Sequence, residues 1–533
     1  MAFWVEVSGV LFKRILMFSL FITSLGSVLA QSGKETTAPR QVAGSKRDSA
    51  LYLLQTAQSE SGAFDGPMQA AVLFALGRTY SQFDQKKSVD LLTRAYEVAS
   101  RLPNSGPDVF ALRLEIIRAV VAKAPNVVER SLPGEAVLRD FALQGIVQDY
   151  VAKKKLATAV QRYENIESDP QVYTTARELL DAIPRSNQEL TNRVFFHAFR
   201  EYSAQQHDQI TAGKPEDLGS LLVRYYDRPP AQVVLDAVDE LLRQAKPENA
   251  PEHSQMRTST IAAKTKDSTL TFSSFYEFRL FQLLPILEAL DPDRAERLLA
   301  DAQSTRALLA RYPDGQRSID PSFLGQSSTT NYSIVSLNSS ASTVISQLES
   351  ERGADAIIRQ ADTSPELALP RAEAAPLDVR IPALLGIARM YLKRQPSTST
   401  EALAAVLASV KDDSTGRQWR AANEAADLYL QMNDNDSAAR ACSKASKVIL
   451  TLYKQDSDPD NPNQAMKLFW PSVHAWRDVL DTSSKISTAT TFEVLKEIPD
   501  REVQVLEEVM VASAWVDVPL WRGMSPMNFH KSQ

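Results

Sequence analysis

The chain of 533 residues has a single cysteine, Cys442, and only five histidines. One cysteine excludes an intramolecular disulfide and any cysteine metal cluster. Cys442 follows Ala438-Ala439-Arg440-Ala441, the small-residue setting of a helix core, where a thiol packs as a small apolar group. Glycine is also scarce, at 18 residues. Hairpin turns, bulges and phosphate loops draw heavily on glycine, so the shortage points to helices. Clustered positive charge is missing. The formal net charge is -6, and the basic run Lys153-Lys154-Lys155 falls in a predicted turn between helices, where it is solvated. Nucleic-acid binding needs grouped lysine and arginine, so no nucleic-acid partner is expected. Beyond the N-terminal leader no stretch is long and uncharged enough to span a bilayer. The nearest, residues 275–290, is interrupted by Glu277, Arg279 and Glu288 and reads as an amphipathic helix.

Signatures of common chemistries are absent as well. The sequence has no Gly-x-x-x-x-Gly-Lys, Gly-x-Gly-x-x-Gly, Gly-x-Ser-x-Gly or His-Glu-x-x-His. That removes the ordinary nucleotide-dependent, serine-hydrolase and zinc-peptidase readings, and no cofactor, metal or catalytic residue is assigned. His197 and Glu201 stand four apart on one predicted helix. The spacing suits a metal or a base with its acid, but more often marks a stabilising pair beside an aromatic core face. His474 lies between Trp470 and Trp476 and reads as packing. Asp456-x-Asp458-x-Asp460 begins like a calcium loop, but Asn461 and Lys467 stand where that loop needs glycine and glutamate, which leaves a solvated turn. Glu60-Ser61, with Phe64 and Met68-Gln69, superficially resembles the catalytic segment of exported lytic transglycosylases. Pro67 replaces that family's Gly-Leu, so Glu60-Ser61 reads as a plain helix end.

What is present is a folded composition, 44% hydrophobic and 23% charged. Residues 1–30 read as a secretory leader: Lys13-Arg14, an apolar core from Ile15 to Ile22, then small residues ending Val28-Leu29-Ala30. Cleavage after Ala30 gives an exported, soluble protein, periplasmic or extracellular; retention would leave an N-terminal anchor. Residues 31–46 form a polar tether. Helical periodicity then runs through 47–246, with breaks at Gly66-Pro67, Pro103-Asn104, Pro133-Gly134, Asp169-Pro170 and Pro229-Pro230. A linker (247–272), a helical hairpin (273–318) and a loop (319–340) separate it from a second helical region (341–514) and an irregular tail (515–533). Only Ser268 to Phe272 invites a strand, and no hairpin partner is evident.

Four helices share one spacing: Leu73, Leu76, Gly77, Tyr80; Leu143, Ile146, Val147, Tyr150; Leu384, Ile387, Ala388, Tyr391; and Ala422, Ala425, Ala426, Tyr429. These i, i+3, i+4, i+7 sets occupy one helix face, with a small or β-branched residue where a neighbour would approach. Second helices follow. Ala159, Tyr163 and Ile166 stand 12, 16 and 19 residues after Val147, and Ala438, Cys442 and Ala445 stand likewise after Ala426. The first segment fits with a turn one residue shorter (Ser88, Leu92, Ala95), and the third needs a longer turn before 401–410. This spacing resembles the tetratricopeptide repeat, a helix-turn-helix unit of about 34 residues. No segment carries the complete motif, and a helical domain reusing one packing solution would give the same offsets. The resemblance implies an all-α stack of helical hairpins, of α-solenoid type, with a curved face that binds a protein or peptide. The other expectation is a protein or enzyme acting on cell-envelope or extracellular polymers, with its site between the helical halves.

Overall fold

The computed structural model describes residues 44–103, 107–204, 217–246, 261–265, 268–319, 337–411, 418–460 and 466–520. The leader, most of the tether, the first part of the linker, residues 320–336 and the end of the tail lie outside these. The described chain is helical apart from one two-stranded antiparallel ribbon, as the glycine shortage and helical periodicity led one to expect. No helix among the described residues is long and apolar enough to cross a membrane.

The chain groups into two compact units that do not follow linear order. One comprises residues 121–319 of the described chain. The other joins 44–120 to 337–520.

The second unit opens with α1 (Gly44–Glu60), α2 (Gly66–Tyr80) and α3 (Gln85–Ser100), followed by α4 (Pro107–Lys123), which ends across the boundary. It resumes with α15 (Leu337–Thr363), α16 (Pro365–Ala374), α17 (Leu377–Tyr391), α18 (Pro396–Ser409), α19 (Trp419–Gln431), α20 (Asn435–Asp456), α21 (Pro471–Ile486), α22 (Thr488–Lys496) and α23 (Arg501–Trp515). From α15 onward most helices pack on the next and the next but one, and α23 closes against α1 and α2. The first described helix thus rests on the last. Lys46 Nζ donates to the Ser484 carbonyl (2.9 Å), Arg78 to the Pro519 carbonyl (2.9 Å), and Arg501 Nε to Glu60 (2.6 Å).

The intervening unit contains α5 (Pro125–Arg130), α6 (Ala136–Ala152), α7 (Leu156–Tyr163), α8 (Asp169–Ala182), α9 (Gln188–Ala204), α10 (Leu218–Tyr225), α11 (Ala231–Ala245), β1 (Ile261–Lys264), β2 (Thr269–Phe272), α12 (Phe275–Leu290), α13 (Pro292–Asp301) and α14 (Gln303–Arg311). One continuous core runs from Leu143 to Ile319.

Three sequence expectations are corrected here. Residues 261–272, read as linker, form the β1–β2 ribbon, with Ile261 opposite Phe272 and Lys264 opposite Thr269. Ile261, Ala263, Leu270 and Phe272 are buried, and this packing holds an alanine-rich strand of little intrinsic preference. α12 is not amphipathic. Phe278, Arg279, Leu280, Phe281, Gln282, Leu283 and Leu284 are all buried, so apolar residues surround it as in a central core helix. The third hairpin has no longer turn: α18 begins at Pro396, whose fixed φ suits a first helical position.

The four tyrosine-bearing helices are α2, α6, α17 and α19, each followed by an antiparallel partner. In every case the tyrosine carbonyl accepts the backbone N–H just ahead of the second helix: Asp84 N to Tyr80 O (2.7 Å), Lys155 N to Tyr150 O (2.9 Å), Gln395 N to Tyr391 O (2.9 Å) and Asp434 N to Tyr429 O (3.0 Å). The two turns with the longer reach each place one residue in the left-handed region, Lys154 (φ 58°) and Asn433 (φ 61°), as C-terminal caps do. The two shorter turns share another bond. Ser88 Oγ donates to the Gly77 carbonyl (2.6 Å) and Ser399 Oγ to the Ala388 carbonyl (2.9 Å). A β-carbon at Gly77 would lie 2.7 Å from Leu92 Cγ, so glycine is what lets α2 and α3 approach.

Candidate functional site

The residues weighed in the sequence fall into structural roles. His197 is buried on α9, its ring edge-on to Tyr163 with centroids 4.7 Å apart. Nε2 donates to the Ile166 carbonyl at 2.8 Å, and Nδ1 accepts from Arg200 at 2.7 Å. Burial holds the imidazole below its ordinary pKa, which keeps it neutral and consistent with this tautomer. Glu201 stands 3.7 Å from Nδ1. His197 therefore ties the end of the α7 hairpin to α9. Cys442 is fully buried, and burial pushes its thiol up to about 12, so it packs rather than reacts. The aromatic group beside His474 is Tyr453, Trp470 and Trp476, with Trp476 Nε1 donating to Ser446 Oγ (3.2 Å). Asp456 accepts from the Ser472 backbone N–H and so caps α21, while Asp458 accepts from Asp460 N. Glu60 pairs with Arg501, and Ser61 Oγ donates to the Gln58 carbonyl. Asp434 caps α20 through Ser437 N. Among the described residues no group of three or more His, Cys, Asp or Glu side chains converges as a metal site would require.

Among the described residues, a concavity lies in each unit. The larger, about 650 Å³, is a groove between α17 and α19, the first helices of consecutive hairpins. Leu377, Ile381 and Leu385 recur every four residues along α17 and make its apolar wall, with Pro382 among them and Ala421 opposite on α19. Along this wall exposure falls from Leu377, at 37%, to Leu385, which is buried. The rim carries both signs of charge. Asp378 accepts from Ser350 Oγ (2.5 Å), Glu424 pairs with Arg389, and the Arg420 guanidinium lies 5.5 Å from the centre of the Trp419 ring. The stripe was legible in the sequence as a second four-residue period on α17, beside the face that ends at Tyr391.

The smaller concavity, about 350 Å³, lies along α6 and α7 in the other unit. Its charges are spent on one another. Arg139 pairs with Glu167 (2.8 Å), Arg162 with Glu129 (2.7 Å), and Arg193, beside it, with Glu164 (2.6 Å). Tyr150 adds its hydroxyl to Glu129 at 3.0 Å. Behind it, the buried Asp140 carboxylate accepts from Glu167 N, Ser168 N and Ser168 Oγ.

A polar network that sequence reasoning missed crosses the core of this unit. Arg279 of α12 donates to Asp217 at 2.5 Å and to Gln282. Gln282 in turn bonds Gln316, whose amide donates to Ser220 Oγ (3.0 Å). Asp217 also caps α10 through Ser220 N (2.7 Å). Burial pushes the Asp217 carboxyl up, but Arg279 and Ser220 outweigh it and hold the pKa below the ordinary value. The signal in the sequence was Arg279 itself, a cation in the most apolar of the described helices.

No protein-family model matches this chain. No curated protein matches it either.

Proposed function

We propose that this protein is an exported helical-repeat binding protein that holds a partner polypeptide in the groove between α17 and α19. The observation that carries the reading is that groove: an apolar wall running from exposed Leu377 through half-buried Ile381 to buried Leu385, between two successive first helices, with acidic and basic side chains at its edge. A polypeptide presents apolar side chains at regular spacing beside polar backbone and charged groups, and it can satisfy both parts. The four hairpins with a common tyrosine-carbonyl turn support a tetratricopeptide-like repeat, in which first helices line the inner face. The leader ending at Ala30 supports export.

The test is affinity capture from envelope and secreted fractions with residues 31–533 as bait, beside a Leu377→Glu, Glu424→Lys variant. A stoichiometric polypeptide held by the wild type and lost by the variant supports the reading. Retention on a peptidoglycan or polysaccharide resin, unchanged in the variant, would replace it with polymer binding at another site.

A further inference from the structure

The seam that joins the two ends of the described chain carries more carboxylate than cation. α23 packs against α1, α2, α21 and α22 and buries two consecutive acids, Glu507 (0% exposed) and Glu508 (6% exposed). Glu507 faces α21, where the partly exposed Arg477 donates to both its oxygens (2.6 and 3.4 Å) and the surface residue Asp478 stands nearby. Glu508 faces the end of α1. Its Oε1 accepts from Arg501 at 2.9 Å, and its buried Oε2 has no hydrogen-bond donor. Arg501 is shared, because Glu60 of α1 takes two of its nitrogens. The other charges around the seam are engaged elsewhere. Lys46 and Arg47 of α1 donate to the Ser484 and Gln82 carbonyls, and Arg78 of α2 to that of Pro519. Lys485 of α21 pairs with Asp481, Glu493 of α22 with Lys496, and Lys467 with Asp500 and Glu502. Two guanidiniums thus serve three carboxylates, two of them buried.

We infer that this seam is a proton-operated clasp, closed when Glu507 and Glu508 are protonated and loosened as they ionise. A buried carboxylate with an undonated oxygen and a shared guanidinium, as Glu508 has, is costly, and so is one buried against a guanidinium that water screens, as Glu507 is; the neutral acids are not. Burial raises the affinity of both groups for a proton, and Arg477 and Arg501 recover only part of that cost. The folded seam therefore binds more protons than the open one just above the ordinary carboxyl range. Closure is strongest in mild acid and weakens as pH rises. What the clasp controls is the docking of the α1–α3 segment on α23, the contact that joins the two sequence-distant parts of this unit. This rests on the seam alone and stands or falls independently of the groove.

The test is hydrogen–deuterium exchange on the full chain from pH 5.5 to 8, corrected for the intrinsic exchange rate. Peptides covering 44–60 and 501–515 are compared with 419–456 of the same unit as the internal reference. The expected result is that protection of the two seam segments falls at least several-fold relative to the reference as pH rises. Glu507→Gln and Glu508→Gln, singly and together, should each flatten that dependence. Should the double variant not fold, the wild-type profile and the single variants decide. Seam protection that tracks the reference at every pH, or a full wild-type response in both single variants, would overturn the clasp.

Discussion

The two units handle buried charge in opposite ways. In residues 121–319 the buried acid Asp217 is held ionised. In the unit that contains α23, the buried acids Glu507 and Glu508 are pushed toward the neutral form. All three touch a guanidinium, so having a partner does not explain the difference. The surroundings of the partner do. Arg279 is 1% exposed, acts through low-dielectric protein, and is joined at the carboxylate by a hydroxyl-bearing cap. Arg477 and Arg501 are 23% and 43% exposed, so water screens the attraction, and Arg501 divides itself between two acids. Each glutamate bears the full desolvation cost but receives a screened return. The concavities differ in their charges: those of the cleft along α6 and α7 pair with one another, and the α17–α19 groove carries its charges at the rim of an apolar wall.

The sharpest way to break this comparison is to remove one half of the Asp217–Arg279 pair. Asp217→Ala should cost about 3–5 kcal/mol, since it leaves a buried, unpaired guanidinium. Urea denaturation would show it, and Arg279→Met in the same chain should recover most of the loss. Gly219→Ala comes next. A β-carbon there would collide with the Arg279 guanidinium and the Gln282 amide, for an expected loss of about 1–3 kcal/mol. Glu507→Gln should behave differently from Asp217→Ala, costing under about 1 kcal/mol at pH 8, because the retained Arg477 reaches water.

The pH response should also divide. Glu507 and Glu508 have raised folded pKa values, so the stability they contribute is complete below the ordinary carboxyl range and is lost as pH rises through the raised values. Glu164, Asp217 and Glu277 are lowered. Their contribution is present above the ordinary range and is lost as pH falls through the lowered values. Acidification from pH 7 to about 5 should therefore stabilise the unit containing α23, and further acidification below about 4 should weaken the other. Glu178, raised by burial, opposes the trend within its own unit. Denaturation curves resolved by peptide exchange at the three pH values would check both signs. The smallest stability effect belongs to the groove: Leu377→Glu should change stability by no more than about 0.5 kcal/mol while abolishing partner capture.

What could be read in advance follows the range of the forces involved. The helices and the tyrosine face rest on local periodicity. The start of α18 was hidden because Ser-Thr-Ser-Thr has weak helical preference. What ties that first turn down is Ser399 bonding back across the hairpin to Ala388. β1 was hidden because its pairing and burial lie outside its own four residues. The joining of α1 to α23 depends on contacts 441 residues apart in sequence, such as Glu60 with Arg501, and local pattern carries no trace of them. Arg279 and the stripe at Leu377, Ile381 and Leu385 stood in plain view as exceptions to their helices' patterns, but only packing distinguishes a buried network from an open groove.

The most direct test compares Leu377 in the groove with Leu132 in the other unit's cleft, which are 37% and 38% exposed. A photo-crosslinking amino acid would replace each in turn, in the living cell. The expected result is a discrete polypeptide adduct from position 377 and none from position 132. An adduct from position 132 alone, or none from either, would contradict the assignment of the α17–α19 groove as the binding face.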